Sequence, residues 1–331
     1  MNYAKEKQVA IAAVTRAAEL CMAVRADMVG AESLSKDDKS PVTVADFGAQ
    51  ALVCQHLRAA FPHDLIVGEE DSTTLRQPEN SDTLTQVTRY VQLFIPAATP
   101  PDICGWIDAG NGPVSPRFWT LDPIDGTKGF LRNDQYAIAL ALIEAGEVKV
   151  SALACPVLPL NLAAPDREIG IIFAAVRGQG AMMAALGSHN FSSIRVSGAN
   201  NPAGLRFAES VEAAHGDQAR QEALAQATGI TRPPLRMDSQ AKYGAVARGD
   251  AALYLRLPSP KSPNYRENIW DHAAGTLIVE EAGGRVTDMF GQPLDFGSDR
   301  KMWHNRGVIV SNGLLHLAVI QALAEDRPHR F

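Results

Sequence analysis

The residues best suited to chemistry lie in Asp122-Pro123-Ile124-Asp125-Gly126-Thr127, at the end of the apolar run Trp119-Thr120-Leu121. Pro123 fixes its own φ and biases Asp122 towards an extended backbone, so the two acids have defined directions. Gly126 and Thr127 follow directly, and Thr is favoured at a helix start. Acids beside free backbone N–H groups could hold a divalent cation and a phosphate together. Taken alone, the stretch fits ordinary Asp and Gly turn chemistry equally well.

Three more acids sit where elements end. Leu65-Ile66-Val67 reads as a short strand running into Gly68-Glu69-Glu70-Asp71. Thr43-Val44-Ala45-Asp46 reads as the opening of a helix over Phe47–Ala60, with Thr43 and Asp46 spaced as a capping box. Asn268-Ile269-Trp270-Asp271-His272-Ala273-Ala274-Gly275 begins a helix that stops at Gly283-Gly284, and an acid there suits the helix dipole. Each acid has a local explanation. Together, Asp46, Glu69, Asp122, Asp125 and Asp271 suggest a common cleft. Hard cations take oxygen ligands, and gathering this many acids without a cation costs repulsion and raised pKa values. No Ser-His-Asp order or reactive Cys context competes.

The elements that must position these residues follow from pattern. The first is a long Ala-rich helix from Lys5 to Val29, with Gly30 as its stop. A polar loop, Ser35 to Pro41, follows. Ser81–Phe94 is helical, with Leu84, Val87, Val91 and Phe94 on one face. Residues 96–117, rich in Pro and Gly, are expected to be irregular. Tyr136–Ile143 and Val148–Cys155 form a hairpin. Pro156-Val157-Leu158-Pro159 breaks the pattern and marks a domain boundary, giving 1–156 and 157–331. In the second half a hairpin spans Ile169–Val176 and Ala181–Leu186. Strands at Leu205–Ser210, Leu235–Asp238, Ala251–Leu257, Arg285–Thr287 and Gly307–Val310 then alternate with helices at Asp217–Ala227, Ser239 onwards and Leu314–Ala324. The fold class is α/β, with an α+β first half and an α/β second half.

At 331 residues, 46% hydrophobic and 21% charged, the chain has the length of roughly two soluble domains. Its net charge of −6 argues against a nucleic-acid polymer as partner. No apolar run reaches membrane-span length. The first residues, Met1 to Lys7, carry acid early and lack a signal-peptide core. The four cysteines, Cys21, Cys54, Cys104 and Cys155, are far apart and show no zinc spacing. A cytoplasmic setting is the expectation.

Three blocks make a resemblance specific: Gly68-Glu69-Glu70, Asp122–Thr127, and Trp270–Gly275 with Glu281-Ala282-Gly283-Gly284. The chain resembles the lithium-sensitive, magnesium-dependent phosphatases of the inositol monophosphatase superfamily over nearly its whole length. Ser40–Asp46, Gly126–Arg132 and Asp238–Gly244 make it most similar to the 3′(2′),5′-bisphosphate nucleotidases within that group. The resemblance implies a layered αβαβα sandwich of the inositol monophosphatase and fructose-1,6-bisphosphatase type, with the site between two subdomains. It implies two or three Mg2+ ions held by Glu69, Asp122, Asp125, Asp271 and the Ile124 carbonyl. Asp46 and Thr127 would activate the attacking water. Gly126 and Thr127 would hold the phosphate, and His215, Ser239, Lys242 and Arg256 the rest of a small nucleotide. The expected reaction removes the 3′-phosphate of adenosine 3′,5′-bisphosphate, and of 3′-phosphoadenosine 5′-phosphosulfate. An inositol monophosphatase, an inositol polyphosphate 1-phosphatase and a catalytically silent cation- or nucleotide-binding protein remain open. The oligomeric expectation is a monomer, with a homodimer open.

Overall fold

The computed structural model describes residues 2–30, 40–162, 164–165, 167–199, 201–211, 218–259 and 261–325. Most of the loop expected at Ser35–Pro41, and His215, lie outside them.

Two sheets organise the chain. The first has seven strands in chain order: β1 (Leu65–Gly68), β2 (Arg117–Asp125), β3 (Ala137–Glu144), β4 (Glu147–Pro159), β5 (Ile169–Val176), β6 (Ala181–Ala185) and β7 (Ser192–Ile194). Only β1 and β2 pair in parallel. The second sheet has five strands: β8 (Phe207–Glu209), β9 (Leu235–Arg236), β10 (Leu253–Arg256), β11 (Arg285–Thr287) and β12 (Val308–Ser311), in the order β11-β12-β10-β8-β9.

Helices fill the layers between and outside. α1 (Ala4–Gly30) and α2 (Ser40–Ala60) cover one face of the first sheet, with α3 (Ser81–Gln92) and α4 (Pro100–Asp108) packed beside α2. After α5 (Thr127–Arg132) and α6 (Gln218–Ala227), α7 (Ala241–Ala247) and α8 (Ala273–Glu281) lie between the sheets. α6 and α9 (His316–Glu325) cover the outer face of the second sheet. The result is the expected αβαβα sandwich. Strand alternation explains it: Ile138, Leu140 and Leu142 face α1 and α2, whereas Ala137, Ala139, Ala141 and Ile143 face α8. On β10, Leu253 and Leu255 face α6 and α9, and Tyr254 faces α7. Each strand of a central layer is apolar on both faces, as a sheet buried between helices requires.

Several local expectations change. α2 starts at Ser40, so Asp46 lies well inside the helix and does not cap it. The stretch 96–117 contains α4. Pro100 sits in its first turn, where no N–H is needed, and Thr99 and Asp102 form a capping box. Pro156 does not break the chain: β4 runs on to Pro159, with a register shift against β5 after Cys155 that accommodates the prolines. The expected division at Pro156 thus falls inside a strand of the first sheet, which continues to Ile194. All four cysteines are buried and unpaired. Among the described residues no helix is long and apolar enough to cross a membrane.

Candidate active site

A cleft of about 330 Å3 opens where β2 ends, lined by Glu69, Asp122, Ile124, Asp125, Gly126 and Thr127. The second half of the chain adds Ser239, Lys242, Arg256 and Asp271 to the lining. Of the residues expected to act, Asp46 does not line it. Asp46 is buried on α2, where Glu69 and Glu70 bear on its carboxyl.

The floor follows from the local sequence. Between Asp122, opposite Ala139, and Asp125, opposite Ala137, the β2–β3 register shifts by one residue. Pro123 cannot donate to the ladder, and a bulge there re-aims the flanking acids. Thr127 is not a cap. Gly126 takes that position with φ +88° and no side-chain cap bond. A Cβ on Gly126 would also lie 2.9 Å from Ser239 Cβ. Ser239 itself has φ +66°, a conformation that costs a non-glycine residue free energy. The two halves of the chain therefore meet at the cleft floor through two left-handed residues.

The acid side is electrostatically crowded. Burial, then Glu69, Asp125, Asp271 and Asp46, push the Asp122 carboxyl far above the usual range. Its Oδ1 is buried and without a hydrogen-bond partner. Burial and the neighbouring carboxylates also raise Asp271 to about 6, against the opposing charge of His272. Glu69 is pushed up to about 8 by burial, Asp271 and Glu70, against a hydrogen bond with Asp122. Glu69 sits at the mouth, exposed to solvent, so water screens part of that shift. For Asp125, burial raises the carboxyl, whereas Lys242 and the Gln240 N–H, which donates to Oδ2 at 2.6 Å, act in the opposite direction. An orphaned buried oxygen in an all-carboxylate set fits a hard divalent cation, which would let the acids ionise together.

Two cations share the cleft with these acids. Lys242 is 3% exposed, and burial lowers it to about 8 despite Asp125. Arg256 pairs with Glu267, Nε to Oε1 at 3.1 Å.

Sequence reasoning missed four residues. Gln240 ties the site together: its N–H donates to Asp125, its Nε2 to the Trp270 carbonyl at 2.9 Å, and its Oε1 accepts from Gly275 N–H at 3.1 Å. Tyr243 O–H and His272 Nδ1 are 2.7 Å apart. Glu267, Asp271 and His272 bring ligand atoms within 4.8 Å of one another. Asp271 sits in a 3-10 turn (Ile269–Asp271), where its Oδ2 accepts from Asn268 N–H at 3.1 Å. Tyr243 and Gln240 lie in the quoted Asp238–Gly244 block, and Glu267 four residues before Asp271, so position was the only available signal.

Fold and site together define a layered αβαβα protein with an acidic cleft between its sheets. The family model described as the inositol monophosphatase family matches residues 2–327, and the chain belongs to that family. The chain is 48% identical over 343 residues to a protein of Schizosaccharomyces pombe named 3'(2'),5'-bisphosphate nucleotidase, covering 98% of this chain and 96% of that one. A protein of the same name from Emericella nidulans is 43% identical over 351 residues, covering 98% of each. Among solved structures, an inositol monophosphatase from Zymomonas mobilis superposes with a TM-score of 0.64 at 19% identity, covering 98% of this chain and 99% of that one. At that identity the likeness is one of fold.

Proposed function

We propose that this chain is a magnesium-dependent phosphomonoesterase that removes the 3′-phosphate of adenosine 3′,5′-bisphosphate, giving AMP and phosphate. 3′-Phosphoadenosine 5′-phosphosulfate, which carries the same ester, is the second substrate. The observation that carries the reading is that one cleft gathers both kinds of charge: the carboxylates of Glu69, Asp122, Asp125 and Asp271 together with the cations Lys242 and Arg256. The names of relatives that match 98% of the chain support it.

Glu69, Asp122, Asp125, Asp271 and the Ile124 carbonyl would hold two or three Mg2+ ions. Bound there, magnesium neutralises phosphate charge and makes a water easier to deprotonate. Asp46 and Thr127 are assigned to activating the attacking water, Thr127 from the cleft lining and Asp46 from its buried place on α2. Burial and the charges of Glu70 and Glu69 raise the Asp46 carboxyl, which makes its ionised form a stronger base. The Gly126 and Thr127 N–H groups receive phosphate oxygens, and the missing Cβ of Gly126 lets the Ser239 segment close against the cleft floor. Lys242 and Arg256 receive the second phosphate, whose charge favours protonated Lys242. Ser239 and His215 are assigned to the nucleoside.

The metal ligands other than Asp271 fall to residues 1–156, and the nucleotide contacts to 157–331. A monomer is the proposed working unit, with a homodimer as the alternative. Four buried, unpaired thiols support a cytoplasmic, reducing setting.

The test is a phosphate-release panel of bisphosphate nucleotides against inositol phosphates, with and without Mg2+ and Li+. Magnesium-dependent release from the 3′,5′-bisphosphate is expected to lead the panel. Asp125→Ala should abolish it while circular dichroism shows the fold retained. Preference for inositol phosphates would overturn the substrate, and nucleotide binding without turnover would overturn the enzyme. Turnover by Asp125→Ala would overturn the metal site.

A further inference from the structure

The Arg256–Glu267 pair stands between two cavities. Both residues, with Tyr265, line the acidic cleft and also a second cavity of about 260 Å3 walled by Leu257, Pro258, Ser259, Met302 and Asn305. An arginine beside such a space has two places to go, and its long side chain carries about 2 kcal/mol of rotamer entropy. What holds it is a carboxylate that is itself fixed. Glu267 Oε1 accepts from Arg256 Nε at 3.1 Å. Glu267 Oε2 is buried and makes no hydrogen bond, standing 3.5 Å from His272 Nε2, and His272 Nδ1 lies 2.7 Å from Tyr243 O–H, so the carboxylate is enclosed by packing and by charge. The backbone around Glu267 is pinned as well: its carbonyl accepts from Met302 N–H, and Ile269 N–H donates to the Arg300 carbonyl, each at 2.9 Å. Because Glu267 occupies only Nε, both terminal nitrogens of the planar guanidinium keep their donors. Among the described residues neither has a hydrogen-bond partner.

We infer that Glu267 is a positioning residue that holds Arg256 facing the cleft and so sets the preference for a substrate bearing a second phosphate. This rests on the assignment of Arg256 to that phosphate. A fork held at Nε presents two parallel N–H groups to an anion, and a charge-assisted contact of that kind is about twice as strong as a neutral one. Glu267 acts only through Arg256: released from Oε1, the guanidinium divides its time between the cleft and the second cavity.

The experiment compares kcat/KM for adenosine 3′,5′-bisphosphate and adenosine 3′-monophosphate in the wild type, Glu267→Ala, the isosteric Glu267→Gln, Arg256→Ala and the Arg256→Ala/Glu267→Ala double variant. The bisphosphate-to-monophosphate ratio is expected to fall about tenfold in Glu267→Ala, the scale of one hydrogen bond to a charged group. It should fall less in Glu267→Gln, which keeps an acceptor. The loss should sit in KM rather than kcat. In the Arg256→Ala background the further change Glu267→Ala should leave the ratio where it is, because coupled residues are not additive. An effect of Glu267→Ala that persists without Arg256 overturns the inference. So does an equal loss on both substrates, which marks a purely structural role. A rise in the Mg2+ concentration needed for half-maximal rate with an unchanged ratio also overturns it, since that marks a metal role. An unchanged ratio in Arg256→Ala overturns instead the assignment of Arg256 to the second phosphate. A lowered ratio there with none in Glu267→Ala overturns the positioning role alone.

Discussion

Gly126 shows how little freedom the site leaves a single residue. Its φ of +88° is one that an L side chain adopts at a cost of about 1–2 kcal/mol, and the position faces Ser239 Cβ at 2.9 Å. Gly126→Ala is therefore expected to lower the stability measured by urea denaturation by about 2 kcal/mol. The same change pushes Ser239 from the floor shared with Asp125. A displacement on the order of 1 Å costs about 100-fold in rate, and phosphate release should fall by that order. A variant with wild-type rate would show that the floor tolerates a Cβ. The neighbouring Asp122 differs in kind: its buried, unpartnered Oδ1 destabilises the fold unless something pairs with it.

At the scale of elements, the site depends on how closely α7 and α8 approach. A Cβ on Gly275 would fall 2.3 Å from the Tyr243 ring, so the ring lies directly against the α8 backbone. That contact puts Tyr243 O–H beside His272 and Gln240 beside Gly275 N–H, with Asp271 within electrostatic reach of Asp125. Gly275→Ala should behave as an overpacked core, losing about 1–3 kcal/mol in a denaturant titration. The Mg2+ requirement should rise in parallel, because the 3-10 turn that leads into α8 carries Asp271. An unchanged Mg2+ requirement in a destabilised variant would separate helix packing from the metal site. The bulge in β2 has a comparable effect: Asp122 and Asp125, three residues apart and so on opposite faces of a regular strand, line one cleft.

At the scale of the molecule, the acids link stability to pH. Asp122 and Asp271, and Glu69 to a lesser extent, have carboxyls raised above their ordinary values, chiefly by burial. Between about pH 4 and 8 the metal-free native state therefore binds more protons than the unfolded chain, and its stability falls as pH rises through that window. Magnesium binds the ionised forms, so its affinity increases with pH. The thermal midpoint of the metal-free protein is expected to drop from pH 5 to pH 8, and added Mg2+ to raise it more at pH 8 than at pH 6. His316, buried between Ser311 and Thr287, acts in the opposite direction. Burial lowers it to about 4, so its contribution is complete above about pH 6.5 and is lost on acidification towards pH 4. Calorimetry across this range with and without Mg2+ separates the two. A Mg2+-induced shift independent of pH would remove the acids from the metal site.

Much of this was legible in the chain itself. Strand and helix periodicity carried the α/β class, and the family resemblance carried the layered order. Asp122 and Asp125 became legible once Asp46, Glu69 and Asp271 suggested a common cleft, and the family followed from three short blocks. Tertiary structure decided the rest, and the physical reason is distance along the chain. The hydrogen bond from Gln240 to Asp125 spans 115 residues. Glu267 has no pattern of its own and matters only because Arg256 and His272 fold against it. Asp46 resembled a cap and proved to be a buried helical acid, because α2 extends to Ser40. Local rules specify how a residue sits on its own element; only packing between elements decides which charges share a cleft.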